Sequence, residues 1–267
     1  MTVNLKVVEL EMKERVAILS LNRPESLNAL NIEVLQQLVQ CLKEVEESQA
    51  DIVVLQGKGN VFSAGGDIKM MLDPNRADSF RKVMDLINEV TLRLYTLPQL
   101  TISAIHGAAA GLGLSIALAS DYIIAQKDAK IAMNFIGIGL IPDGGGHFLL
   151  AKRLGNHRAK QLIWQGETLS AEKAYKIGII DEIKEGDLAK HVEDYVSYWL
   201  KKPALALKET KRIFVETSIE ELKTVLQLEK RSQFSMSQSD DHQEGIEAFL
   251  AKRLPVFNQR SKDISEN

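Results

Sequence analysis

Residues 101–125 read TISAIHGAAAGLGLSIALASDYIIA. The run is apolar and long enough to suggest a bilayer-spanning helix, which needs roughly 20 such residues. His106, Gly107, Gly111, Gly113 and Asp121 interrupt it, however, and the flanking segments pattern as water-soluble elements. A buried strand over Thr101–Ile105, a glycine turn and a buried helix over Leu112–Ser120 fit better, with another strand over Asp121–Ala125. That reading gives an α/β protein and rejects a membrane span.

A second segment has the same design. In Val61-Phe62-Ser63-Ala64-Gly65-Gly66-Asp67-Ile68, as in Ile105–Gly113, an apolar stretch runs into small residues and then towards a helix or loop. Glycine lets backbone approach a ligand closely and adopt positive φ. A helix start also leaves several N–H groups without intrahelical partners, free to face a negative oxygen. Taken singly, each segment reads equally as a tight turn between a strand and a helix. The second lacks the Lys and Ser/Thr of a phosphate-binding loop, and its glycine spacing is not that of a dinucleotide fingerprint.

Outward from these turns, strands and helices alternate loosely. Lys6–Leu10 and Arg15–Leu21 read as a hairpin around Lys13-Glu14, and Asn31 as the N-cap of a helix with Ile32, Leu35, Leu38, Leu42 and Val45 on one face. Ile52–Leu55 is a short buried strand and Asp78–Thr96 returns to helical spacing; Lys130–Met133 and Ile179–Ile183 complete the strands. Gly145–Leu154, Asn156–Trp164 and Ser170–Ile177 are expected helices, and Leu188–Arg253 is helical in pattern almost throughout, with an amphipathic stretch over Glu220–Met236. The expected division is an α/β core over 1–198 and a C-terminal helical region over 199–267 for oligomerisation and site closure, its tail NQRSKDISEN frayed.

Bulk properties narrow the class. The 267 residues carry 33 basic and 36 acidic side chains, a net charge of −3, so no overall field draws the chain to nucleic acid or anionic membrane. No basic run with interleaved aromatics supports RNA binding. The single cysteine, Cys41, cannot form an intramolecular disulfide and shares an apolar stripe with Leu38, Leu42 and Val45, as a small hydrophobe would. The charged, alternating N-terminus is not a signal peptide, so a cytoplasmic location is expected.

Five motifs in order resemble the crotonase (enoyl-CoA hydratase/isomerase) superfamily: Asn22-Arg23-Pro24 with Asn28-Ala29-Leu30; Phe62–Asp67; His106-Gly107 with Gly111-Leu112-Gly113; Ser120-Asp121; and Gly139-Leu140-Ile141-Pro142-Asp143-Gly144-Gly145-Gly146. The ending, Glu244–Phe249 with Lys252, Arg253 and Phe257, is similar too. The resemblance implies an α/β spiral of ββα units with a helical C-terminal region, assembled as a trimer or dimer of trimers. It also implies an acyl-coenzyme A thioester as substrate, with the coenzyme carried in by the substrate and no other cofactor or metal. By that resemblance the amides of Gly66 and Leu112 donate to the thioester oxygen, and the Ala64 carbonyl receives the adenine amino group. Ser26, Leu27 and Asn28 form the loop lining the coenzyme A site, with Asp67 and Ile68 following the first donor. Phe249, Lys252 and Arg253 contact the coenzyme or a neighbouring subunit.

Departures from the pattern sort the reactions. Hydratases of this family hold a water between two glutamates; at those positions this chain has Ser115 and Phe135, neither able to act as a base. Asp143 matches the point where isomerases of the superfamily carry an aspartate, and the motif around it is most similar to the isomerase branch. One carboxylate suffices there, since it can remove a proton from one carbon and return it to another. An ordinary Asp titrates near ~3.9, and an apolar pocket would raise that; Phe135, Ile138, Leu140 and Phe148 are candidates to supply it. Met70 and Met71 suit an adaptable acyl pocket, or equally a core contact, in a segment, Ile68–Asp78, that in relatives often moves over the acyl chain. Ser115 is placed in the same substrate pocket, with a buried hydroxyl bonding to the preceding helix turn as the structural alternative. Read locally, Pro-Asp-Gly-Gly before a helix is also an N-cap, so Asp143 has a structural alternative. His147 reads as a helix-face histidine and His106 as structural. The leading expectation is an enoyl-CoA isomerase; the alternatives are a hydratase with atypical water activation and a non-catalytic acyl-CoA-binding relative.

Overall fold

The computed structural model describes residues 6–71 and 76–258, with only the backbone described for Met71 and 76–79. The side chain of Met71, residues 1–5 and 72–75 and those beyond 258 therefore lie outside the described residues. The chain opens with a hairpin, β1 (Val8–Lys13) and β2 (Val16–Leu21), turning at Glu14 with φ 51°. Helix α1 (Ile32–Glu46) begins at Asn31, whose side chain accepts from the Val34 amide at 2.9 Å. Its buried face is Val34, Leu35, Leu38, Val39, Leu42 and Val45. Then follow β3 (Ile52–Gly57), the short α2 (Ile68–Met71), α3 (Arg76–Thr96), β4 (Leu100–Ile105), β5 (Ala108–Ala110) and α4 (Leu112–Leu118). The apolar run that opened the sequence reading is thus strand, short strand, helix and strand, and among the described residues no helix is long and apolar enough to cross a membrane.

The second half contains β6 (Tyr122–Gln126), β7 (Lys130–Ala132), α5 (Gly146–Gln165), β8 (Thr168–Ser170), α6 (Ala171–Ile177) and β9 (Glu182–Lys184). Four helices end it: α7 (Leu188–Leu200), α8 (Ala204–Glu216), α9 (Ile219–Ser237) and α10 (Asp240–Leu250). The two helices expected over 145–164 lie end to end as α5, broken at Gly155 (φ 72°, ψ 155°). The strand expected at Ile179–Ile183 starts later. Gly178 ends α6 in the left-handed region, Ile179 and Ile180 are buried in the turn, and the Asp181 amide reaches the Ile123 carbonyl at 2.9 Å as the chain enters the sheet. Helix α7 runs across the expected boundary at 198/199.

The strands form two sheets. The larger has the order β1-β2-β3-β4-β6-β9, parallel from β2 onward; the smaller is β5-β7-β8. From β2 to α5 each turn of the chain lays one strand in the large sheet, makes a short pairing in the second layer, and then enters a helix. The short pairings run from Leu30 with Gly66, through Ser63 with Ala109, to β5 with β7. Successive ββα turns therefore stack as a spiral. Alternation in the central strands feeds two cores: Val53 and Leu55 face the main one beneath α1, α3 and α4, while Ile52 and Val54 join Ile102, Ile124, Val192 and Val196 beneath α7. Burial on both faces explains why β3 reads as a continuous apolar run.

Candidate active site

The two glycine turns are zipped together by the short second-layer pairing. The Ser63 amide donates to the Ala108 carbonyl and the Ala110 amide to the Ser63 carbonyl, each at 3.0 Å. Packing here is backbone on backbone, which dictates the small residues. Gly65 has φ 97°, and a Cβ on it would stand 2.7 Å from the Ala110 carbonyl oxygen and 3.5 Å from the Leu112 nitrogen. A Cβ on Gly113 would stand 2.7 Å from that of Ser63. Beyond the contact, the amides of Leu30 and Asp67 bond across to Gly65 and Leu30 carbonyls at 2.8 and 3.1 Å, leaving the Gly66 N–H outside the pairing. Leu112 is the first residue of α4, where no intrahelical acceptor exists. Among the described residues neither amide donates a hydrogen bond, and both residues line one cavity of about 360 Å³.

Asp143 lines the same cavity and is 7% exposed. A Cβ on Gly144 would meet Leu112 Cδ1 at 2.8 Å, so the turn carrying Asp143 rests directly on the second amide's residue. The Asp143 side chain does not cap α5. That place is taken from across the core by Glu229 of α9, whose carboxylate accepts from the Gly145 amide at 2.7 Å, the His147 amide at 3.1 Å and His147 Nδ1 at 2.7 Å. Gln233, one turn along α9, donates from Nε2 to Asp143 Oδ2 at 3.1 Å while its Oε1 accepts from the Ile141 amide at 3.2 Å, which fixes which way the amide points. Asp143 Oδ1 is buried with no hydrogen-bond partner. Burial away from water, joined by the negative charge of Glu229, pushes the Asp143 carboxyl up to about 7, against the opposing pull of the Gln233 hydrogen bond and of His147.

Of the other residues singled out in the sequence, Ala64, Ile68, Met70, Phe135, Ile138 and Leu140 also line the cavity. They are joined by Phe80, Val83, Met84 and Ile87 of α3. Ser115 does not line it: fully buried, its hydroxyl approaches the Met133 sulfur at 3.9 Å and lies under Gly146 rather than bonding back along its helix. Phe148 is buried against Tyr95 outside the cavity lining. Asn28 is a buried stitch, accepting from the Arg23 amide at 2.9 Å and donating to the carbonyls of Lys58 and Val61. Asp67 accepts from Arg23 at 3.1 Å and from the Lys69 amide at 3.1 Å. These two side chains hold the turn that carries Gly66, whereas Leu27 and Ala64 are exposed beside it. The Ser26 hydroxyl lies 3.4 Å from the Arg23 guanidinium. Phe249 lines the cavity and Arg253 pairs with Glu244 at 2.8 Å. His106 Nε2 meets the Gly59 carbonyl at 3.0 Å.

The sequence reading did not single out Glu229, Gln233, Ser237 and His242, all of them buried. A signal was present. Glu229, Gln233 and Ser237 continue the inward stripe of Leu222 and Leu226 on α9, and a charged residue on a helix's apolar face is informative. His242, at the start of α10, bonds the Ile138 carbonyl through Nδ1 at 2.8 Å.

A sequence model described as enoyl-CoA hydratase/isomerase matches residues 11–260. The Bacillus subtilis (strain 168) protein YhaR, named for that hydratase/isomerase group, is 52% identical over 91% of this chain and 95% of its own. The 1,2-epoxyphenylacetyl-CoA isomerase of Escherichia coli K12 is 38% identical over 92% and 96%. Among solved structures, an enoyl-CoA hydratase from Mycobacterium avium subsp. paratuberculosis K-10 superposes with a TM-score of 0.86 at 30% identity, covering 94% of this chain and 98% of that one.

Proposed function

This chain belongs to the enoyl-CoA hydratase/isomerase family, and from that premise we propose that it is an isomerase that moves the double bond of an unsaturated acyl-CoA. The thioester oxygen sits between the amides of Gly66 and Leu112. The ionised carboxylate of Asp143 removes a proton from C2 of a 3-enoyl-CoA, and the electron pair delocalises onto that oxygen as an enolate. Protonated Asp143 then returns the proton to C4, giving the 2-enoyl-CoA; nothing is oxidised, reduced or added. Preorganised donors of this kind are each worth on the order of 10²–10³ in turnover. An acid/base whose affinity for a proton sits near neutral pH is matched to give and take one in the same cycle. The coenzyme lies along the exposed Leu27 and Ala64, with Ser26, Asn28, Asp67 and Ile68 shaping that side and Phe249 at the cavity rim.

One observation carries the choice of isomerase: among the described residues Asp143 is the single carboxylate lining the cavity. The resemblance supports it, since Ser115 and Phe135 stand where it places the two glutamates of a hydratase. The test is a pair of assays on the same preparation. With crotonyl-CoA, loss of the enoyl-thioester absorbance through hydration stays far below that of an ordinary hydratase; with a 3-enoyl-CoA, the same absorbance grows. Its rate rises with pH along an acid limb centred near 7, because only ionised Asp143 starts the cycle. Efficient hydration of crotonyl-CoA would overturn the reading in favour of a hydratase. Binding of acyl-CoA with no conversion of any enoyl ester would leave a non-catalytic relative.

A further inference from the structure

A buried carboxylate outside the chemistry holds the start of the helix that follows Asp143. Glu229 is 2% exposed and 82 residues away from the His147 it binds, and all its contacts go to the start of α5: two backbone amides and one imidazole. One turn further along α9, Gln233 holds Asp143 Oδ2 and is itself oriented by the Ile141 amide. We propose that Glu229 and Gln233 are a positioning pair for Asp143, with one residue taking over the helix cap and the other fixing one oxygen, so that Oδ1 alone is left without a protein partner.

Hydrogen-bond supply decides where the Asp143 side chain goes. A Pro-Asp-Gly-Gly turn entering a helix ordinarily spends the aspartate on the free amides of the first turn. Here those amides are taken by Glu229, so Asp143 is released from capping and turned into the cavity. Gln233 then occupies Oδ2, and Oδ1 is left buried without a protein partner, which is costly for a group with no other use. The same arrangement keeps a second negative charge close to Asp143, which favours its protonated form, while the Gln233 hydrogen bond favours the ionised form. The two members thus act on proton affinity in opposite directions. The titratable groups around Asp143 are Glu229 of α9 and His147 of α5, with His242 of α10 on the same cavity; Lys230 of α9 pairs with Asp85 of α3.

The inference rests on Asp143 being the acid/base of the proposed isomerase, and the experiment separates the two ideas. Infrared difference spectra against Asp143→Asn isolate the protonated carboxyl band of Asp143 in the intact protein, without substrate. In Glu229→Gln the midpoint of that band falls by on the order of one pH unit, about tenfold in proton affinity; in Gln233→Met it rises. The acid limb of kcat/KM for a 3-enoyl-CoA moves with each midpoint. A purely structural pair would lower the melting temperature and leave both midpoints in place, and that result overturns the proposal. If Glu229→Gln does not fold, Gln233→Met decides by the presence or absence of its upward shift. Shifted midpoints in a protein that converts no enoyl-CoA would sink the isomerase reading and leave the pair standing.

Discussion

Asp143 holds a carboxyl whose proton affinity is raised by burial, and that has a consequence for stability as well as chemistry. Its folded-state value of about 7 lies above the ordinary 3.8. Between those values the folded chain binds more protons than the unfolded one, so this residue costs stability as pH rises through the window. The cost is complete above pH 7 and amounts to about 4 kcal/mol at most. Asp143→Asn removes it. Urea unfolding at pH 5 and pH 9 should show wild type losing stability between the two and the variant losing less, while the variant's turnover falls by on the order of 10²–10⁴. Equal pH dependence in both proteins would mean that Asp143 is not buried as described. Locally, the sequence leaves this residue ambiguous between cap and acid/base, because Pro-Asp-Gly-Gly serves both. What separates the roles is a glutamate more than 80 positions later, beyond the reach of any local pattern.

The two glycine turns were legible for the opposite reason. Their requirement is local and backbone-driven: positive φ at Gly65, and no room for a side chain where one turn lies on the other. In Gly65→Ala the new methyl meets the Ala110 carbonyl oxygen at 2.7 Å in a conformation that L-residues avoid. The two strands must part, so the amide of Gly66 loses its alignment with that of Leu112. Turnover should drop on the order of 10²-fold, with a stability loss of about 1–3 kcal/mol, both measurable on one preparation. Unchanged kcat in a stably folded Gly65→Ala would show that the register of these turns is irrelevant. The strand expected at Ile179–Ile183 was displaced because periodicity marks burial, not pairing. Ile179 and Ile180 are buried, but in the turn that Gly178 makes.

The alternation of strand and helix along the chain could be read from where apolar runs stop at glycines, but not the second layer: Ala108–Ala110 read as part of a glycine turn, and Thr168–Ser170 did not read as a strand. The enclosure of the cavity could not be read either, since α9 and α10 bring Gln233, Ser237, His242 and Phe249 to residues a hundred positions earlier. The outer helices leave apolar surface unused: on α8, Leu205 is 80% exposed and Phe214 69%. The family resemblance implies a trimer or a dimer of trimers, and we propose that these side chains are covered in that assembly. Light scattering should give three or six times the 29.7 kDa of one chain, and Phe214→Lys should shift that mass downward; a wild-type monomer at micromolar concentration would refute the assembly. For the molecule as a catalyst, the most direct measurement is the fate of a 3-enoyl-CoA in deuterated water, followed by NMR and mass spectrometry in wild type and Asp143→Asn. The account predicts a 2-enoyl-CoA carrying any deuterium only at C2 and C4, formed at least about a hundredfold more slowly by the variant. A 3-hydroxyacyl-CoA as the main product, or an undiminished rate in Asp143→Asn, would contradict it.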